Sequence, residues 1–316
     1  MIPFNKVGSV SFNNLPYYFS LLFIFTCFFI SVFTFFIIPD KTVNANTMNL
    51  NIQSMKPGFS VQILTVPNFE NKNFNSYFFG LEKPIEQYPI NQYSFTQDSI
   101  NFTLYNKFDK VFEKKSLHLS KFYNKTHNNA PNNVHLIKDK ISNDYIINQK
   151  FLFGTDLYGR DLFSRVLLGT RVSLSIGLMA VLISTLIGIF FGSIGGYFGG
   201  IADKIIIYII NVFWSIPTLL LVIAISLSLG KGFWQVYIAI GFSVWVDVAR
   251  LVRGKVISEK NKDYISASKI LGFDNIYIII YHILPNIIGP ILIIAAANFA
   301  SSILLESGLS FLGIGT

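Results

Sequence analysis

Charge is what this chain has least of. Only 13% of its 316 residues are Asp, Glu, Lys or Arg, about half the share of an ordinary soluble domain, so it cannot cover a globular surface with hydrated side chains. Cysteine is nearly absent too. Cys27 stands alone, which excludes an intrachain disulfide and any multi-cysteine metal site. Histidine is sparse, and His118, His127, His135 and His282 show none of the H-E-x-x-H-type spacing that gathers ligands around one metal. The glycines of "GGYFGGIADK" (195–204) lack the Gly-Lys-Ser/Thr ending of a phosphate loop and are not read as one. A dense Lys/Arg patch interleaved with aromatics is also missing. The net charge of +8 is therefore ascribed to basic cytoplasmic loops and contact with anionic lipid, and no nucleic-acid partner is expected.

What the chain does have is apolar length. Hydrophobic residues make up 52% of it, with a mean hydropathy of +0.50, and they are clustered. Residues 15–38 form an unbroken apolar run, long enough to cross a bilayer core of about 20 residues. The run is longer than a cleavable signal core and has no A-x-A-like site, so it is expected to be an uncleaved anchor. Four more spans are expected at 172–194, 205–229 (interrupted by Pro217), 233–249 and 287–305. The span at 172–194 is rich in Ser and Gly, which suits close helix packing in lipid.

Residues 41–150 differ in character. Asn and Lys are frequent, and "GFSVQILTV" (58–66) and "SINFTLYNKF" (99–108) alternate as strands do. Pro57-Gly58, Pro67-Asn68 and Pro89 mark turns, and "NKTHNNAPNN" (124–133) has the composition of a flexible loop. The expected organisation is a cytoplasmic N-terminus and first span (1–40), a small strand-rich extracytoplasmic insert (41–150), an interfacial segment (151–171) and a transmembrane domain (172–316). Orientation follows from Arg250, Arg253, Lys255, Lys260, Lys262 and Lys269, which place the loop after residue 249 in the cytoplasm. Lysines outnumber acids in the insert as well, but loops longer than about 60 residues are translocated regardless of charge.

Several short patterns carry local information. In "DYISASKILGFDNIYIIIYHILPN" (263–286), Tyr264, Ala267/Ser268 and Leu271 share one face of a short helix, and Gly272 stands at its C-terminal cap. Asp274 is positioned to cap a second helix from about Asn275, and Pro285 marks that helix's end or a kink. Upstream, Gly154, Asp156, Gly159 and Asp161 suggest a capped turn before a helix whose face is Leu162, Phe163, Val166 and Leu167. Gly199 and Gly200, with Gly195 and Gly196, permit a tight reversal, and Pro217 is a candidate hinge. Asp247, three residues before Arg250, is expected to pair with it on the helix. For Glu306, near the outer end of its span, two readings stand: a gate or contact for a substrate amino group, or a structural hydrogen bond.

The spacing of the 263–286 stretch resembles the cytoplasmic "EAA" signature of ABC importer permeases: E-A-A, three residues, Gly, and then L-P. Here Ser266-Ala267-Ser268, Gly272 and Leu284-Pro285 stand at those positions, with Ser266 in place of the Glu and Ser268 in place of the second Ala. Four further blocks, "FGTDLYGRDLFSRVLLGTRVSLSIG" (153–177), "GGYFGGIAD" (195–203), "HILPN" (282–286) and "ESGLSFLGIG" (306–315), are similar to the C-type subunit of the dipeptide/oligopeptide permease group. The family often has Arg and Asp where this chain has Tyr208 and Asn211.

The resemblance implies an all-α polytopic membrane protein with the ABC importer type I transmembrane fold, five spans present and the last one missing. Within it, 250–286 is the coupling segment, where Tyr264, Ser266, Ala267, Ser268, Lys269, Leu271 and Gly272 meet an ATPase. It also implies a second homologous permease, two ATPase subunits that bind the ATP and magnesium, an extracytoplasmic peptide-binding protein and a bacterial cytoplasmic membrane as the location. No cofactor is expected on this chain, which is a transport subunit rather than an enzyme. Import of nickel chelates or another small solute on the same fold, a membrane-anchored enzyme acting through the outer insert, and an ion channel are the competing functions.

Overall fold

The computed structural model describes residues 15–67, 80, 86–106, 113–123, 134–230 and 232–315. The expected loop at 124–133 and His127 lie outside them. The chain divides into two compact units, residues 1–171 and 172–316.

In the first unit, helix α1 (Leu15–Ile37) is followed by strands β1 (Phe59–Thr65), β2 (Gln87–Phe95), β3 (Ser99–Leu104) and β4 (Lys114–His118). A short helix, α2 (Val134–Lys140), then leads to β5 (Ile146–Phe151). The strands form one antiparallel sheet in the order β4-β3-β2-β1-β5. Alternation along β1 supplies both of its cores. Val61 and Ile63 pack with Ile52, Met55 and Phe151, while Leu64 turns to Ile90, Ile100, Phe102, Leu104 and Ile141. Both stretches expected as strands are strands, although the second ends at Leu104. Pro89 is not a turn: it lies inside β2, opposite Ile63.

The turn before the long helix is tightly made. Asp156 accepts hydrogen bonds from the backbone of Tyr158 (2.8 Å) and Arg160 (3.0 Å) and from the side chains of Arg160 (2.7 Å) and Arg165 (2.6 Å). Asp161 caps the following helix through Ser164 N at 3.1 Å. At Gly159, φ is +71° and a Cβ would collide with the carbonyl oxygen of Asn49, so only glycine fits.

Helix α3 (Leu162–Phe198) crosses the boundary between the units without a break. Its 37 residues make it about 55 Å long, well beyond a hydrocarbon core of about 30 Å. The segment expected to lie at the interface is thus continuous with the span that follows it. The second unit continues with α4 (Gly200–Trp214), α5 (Thr218–Leu229), α6 (Phe233–Lys260), α7 (Asp263–Ile270) and a long helix, α8 (Asn275–Phe311). Among the described residues, four helices are long and apolar enough to cross a membrane: Tyr18–Ile37, Leu162–Phe198, Phe233–Lys260 and Asn275–Phe311. The pair α4 and α5, bent by 91° at Ser215–Pro217, makes a fifth if counted as one broken span.

The reversal expected at 195–204 is confined to Gly199 (φ +69°) and Gly200 (φ +57°), and the helix runs on through Gly195 and Gly196. Gly196 serves packing instead. Gly188, Gly192 and Gly196 form a stripe one turn apart, and a Cβ on them would come within 2.5–2.8 Å of Val248, Ala249 and Arg253 of α6. Pro285, likewise, ends nothing. A π-helical segment, Ile278–Ile283, widens the turn before it, Leu284 N–H bonds Ile279 O, and the helix continues to Phe311.

Candidate functional site

The polar end of the second unit is assembled around α7. Its packed residue is Ile265, fully buried among Val252, Val256, Ile278, Ile279 and Ile283. Ile265 lies about 100° around the helix from Tyr264, off the face marked out by Tyr264, Ala267/Ser268 and Leu271. Ser268 is buried as well, and its hydroxyl donates back to Tyr264 O at 2.8 Å.

Tyr264 is a strut. Its hydroxyl donates to Glu259 Oε2 at 2.8 Å and accepts from Asn286 Nδ2 at 3.2 Å, linking α6, α7 and α8. Glu259 also accepts from Lys262 Nζ at 2.6 Å. Burial first, and then the bond to the Glu259 carboxylate, push the Tyr264 phenol up to about 12.

Lys269 leans on the bundle. Its ammonium lies 5.4 Å from the ring centroid of Tyr197, and Lys260 lies 5.6 Å from the same centroid. Tyr197 is itself a node. It is buried near the end of α3, its hydroxyl donates to Asn275 Oδ1 at 2.8 Å, and its carbonyl accepts from Lys260 Nζ at 2.5 Å.

The outward side of this assembly is apolar. Ile270 is 86% exposed and Leu271 75% exposed, with Phe273, Ile276 and Tyr277 beside them in sequence. Ser266 and Ala267 are exposed too. Gly272 closes α7 at φ +80°, and its N–H bonds Lys269 O at 3.0 Å. Asp274 sits at the N-cap of the next helix as expected, but its side chain makes no cap hydrogen bond.

Two other sites involve charge. Arg253 binds Asp203 in a two-point pair, at 2.5 and 2.7 Å, joining α6 to α4 just past the glycine turn. Glu306 is buried, accepting from Ser310 Oγ at 2.7 Å and from Ser173 Oγ of α3 at 3.5 Å. The expected Asp247–Arg250 pair is not formed. Arg250 instead stacks on Trp214 of α4, 3.7 Å from the ring centroid, with Nη2 3.4 Å from Asn211 Oδ1.

Sequence reasoning missed Tyr197, Glu259, Ile265 and the Asp203–Arg253 pair. Asp203 and Tyr197 both fall inside "GGYFGGIAD", but their partners Arg253 and Asn275 lie 50 and 78 residues away, beyond the reach of a local pattern. Among the described residues, no group of three or more His, Cys, Asp or Glu side chains could hold a metal ion.

Residues 171–316 match the family model described as binding-protein-dependent transport system inner membrane component. The oligopeptide transport system permease protein OppC of Bacillus subtilis is 40% identical over 163 residues, 52% of this chain and 53% of that protein. The dipeptide transport system permease protein DppC of the same organism is 43% identical over 163 residues, 52% of this chain and 51% of the relative. The DppC of Lactococcus lactis is 41% identical over 166 residues, with 52% and 48% covered. The chain spans about half the length of the curated relatives it matches.

Proposed function

We infer that this chain is one permease subunit of an ATP-driven peptide importer, starting from the match of its residues 171–316 to the family model described as binding-protein-dependent transport system inner membrane component. The observation that carries the reading furthest is α7. It is a short helix held firmly on its inner side and apolar on its outer side, at the end of the unit richest in Lys and Arg. Such a helix can transmit force: what docks on Ile270 and Leu271 moves Ile265, Tyr264 and Lys269, and with them the ends of α3, α6 and α8.

In this reading the ATP and magnesium sit on two separate ATPase subunits, one of which grips α7. A second, homologous permease completes the path, and an extracytoplasmic binding protein delivers the peptide. The basic residues around α7 put that end in the cytoplasm, which directs the N-terminus inward and residues 41–150 outward. Transport proceeds by alternating access, with closure of the ATPases pulling α7 and re-packing α4 and α5 about Pro217. Ser266, in place of the family's Glu, offers the ATPase a hydroxyl rather than a carboxylate, so apolar contact at Ile270 and Leu271 carries more of the grip.

The test is isolation of the complex through a tag on this chain, followed by ATP-driven uptake of labelled di- and tripeptides into proteoliposomes. Peptide uptake with a co-isolated ATPase supports the reading. Uptake of nickel chelates but not peptides would replace the cargo and keep the mechanism.

A further inference from the structure

One lateral face of the second unit carries polar groups within its apolar spans. On α4, Asn211, Trp214 and Ser215, just past its end, are exposed, and on α6 so are Asp247 and Arg250. The two helices are locked together by Ile206 and Ile210 against Trp245, Val246 and Ala249, which fixes these groups beside one another. Arg250 is committed to α4 through the Trp214 ring and Asn211. Asp247 lies one turn from Arg250 on the same helix face, yet among the described residues it makes no hydrogen bond and no ion pair.

A carboxylate inside a membrane span is costly against lipid, and such groups face a bundle interior or a water-filled path. Asp247 is not in the interior of its own unit. The bend of 91° between α4 and α5 lies on the same face, beside Trp214 and Ser215. Broken helices are the usual place for transporters to build substrate sites.

We propose that this face lines the translocation path and that Asp247 is the point where the path receives the cationic groups of a passing peptide, its ammonium terminus or a lysine side chain. The proposal rests on the peptide-importer reading. Chemistry selects the occupant: Arg250 attracts Asp247 through space but spends its N–H groups on the Trp214 ring and Asn211, so the carboxylate oxygens are left to accept hydrogen bonds from a passing ammonium.

The experiment compares, in proteoliposomes containing the whole complex, maximal uptake of a lysine-containing and a glutamate-containing tripeptide. The binding protein is a separate, unaltered polypeptide, so its preferences cancel between variants. Asp247→Asn is expected to lower the lysine-to-glutamate uptake ratio about tenfold, the factor one charge-assisted hydrogen bond supplies, and Asp247→Glu is expected to keep it. A ratio unchanged in Asp247→Asn overturns the proposal.

A second measurement leaves Asp247 in place. In a Cys27→Ser background, Ser215→Cys is expected to react with a water-soluble methanethiosulfonate and to be protected by transported peptide. A cysteine that stays unreactive means that water does not reach this face, and defeats the proposal. Absence of uptake of either peptide by the wild-type complex is a different result, and would overturn the peptide-importer reading together with this one.

Discussion

The hydroxyl of Tyr197, on the last turn of α3, donates a 2.8 Å hydrogen bond to Asn275 Oδ1, on the first turn of α8. The two residues are far apart in sequence, but between them they close the polar end of the bundle over α7. Tyr197→Phe keeps the ring that Lys260 and Lys269 rest on and loses only this bond. It is expected to cost about 1 kcal/mol, while Tyr197→Ala, which also empties a buried ring site, costs about 3 kcal/mol or more. Thermal unfolding of the detergent-solubilised complex measures both.

The cap of α7 offers a sharper test of force transmission. Gly272 holds φ at +80° and bonds Lys269 O through its N–H. Gly272→Pro can satisfy neither requirement, and is expected to leave ATP hydrolysis running while uptake falls by at least about tenfold. Gly272→Ala, which pays only the left-handed backbone cost of about 1–2 kcal/mol, is expected to lower uptake less. The ratio of ATP hydrolysed to peptide taken up is the quantity to follow.

Alkaline pH isolates Tyr264. Its phenol is raised to about 12 in the fold, against about 10 in an unfolded chain. The unfolded state therefore releases this proton first as pH rises. The stabilisation is complete below about pH 10 and is lost as pH climbs toward 12. Tyr264→Phe is expected to flatten that part of the stability curve while leaving its neutral part lower, as followed by ellipticity against pH.

Acid should act on the other unit. Asp156 is pushed up by burial, but its bonds from Arg160 and from the backbone of Tyr158 outweigh this and hold its carboxyl below the usual range. Its contribution is present above about pH 4 and is lost as pH falls through the lowered value. Asp156→Asn is expected to weaken the turn into α3 at neutral pH and to shrink the acid-dependent loss, measured as protease resistance of residues 41–161 in the intact chain.

The glycine stripe predicts a steric penalty. A Cβ at Gly188 would lie 2.5 Å from Val248 Cβ, so Gly188→Ala must push α3 from α6 at a cost of about 1–3 kcal/mol. Gly169, on the same helix with open space around its Cβ position, is the control: Gly169→Ala is expected to be neutral or stabilising. Melting temperatures of the two variants decide it.

How much of this was visible in the sequence depends on the scale of the signal. The spans announced themselves by length, and the strands by alternation in "GFSVQILTV" and "SINFTL", because both are sums over many residues. Boundaries were less visible. The 233–249 span gives no hint that α6 runs on to Lys260, since a helix leaving lipid changes its side chains and not its hydrogen bonds. Pro285 reads as an end or a kink because local rules see the missing N–H and do not see the π-helical turn that absorbs it.

Pairings across the fold were the least legible. Asp247 and Arg250 have the spacing of an ion pair, yet the Trp214 ring on α4 captures the guanidinium. Asp203 and Arg253 lie 50 residues apart and meet. Which partner wins is decided by packing at Ile206, Ile210 and Trp245, which no local pattern encodes. On α7, Tyr264 and Lys269 are candidate contacts for an ATPase by their place in the signature, and their side chains also hold the helix to its own bundle. The exposed Ile270, unremarkable in sequence, is the better candidate for contact.

The most direct test of the central claim is ATP-driven uptake of a labelled peptide by the reconstituted complex, with Leu271→Asp in this chain beside the wild type. The wild type is expected to take up peptide, whereas Leu271→Asp, with Ile265 and Tyr264 undisturbed, is expected to release the ATPase and abolish uptake. Full uptake by Leu271→Asp, with the ATPase still bound, would mean that the ATPase does not grip this chain at α7.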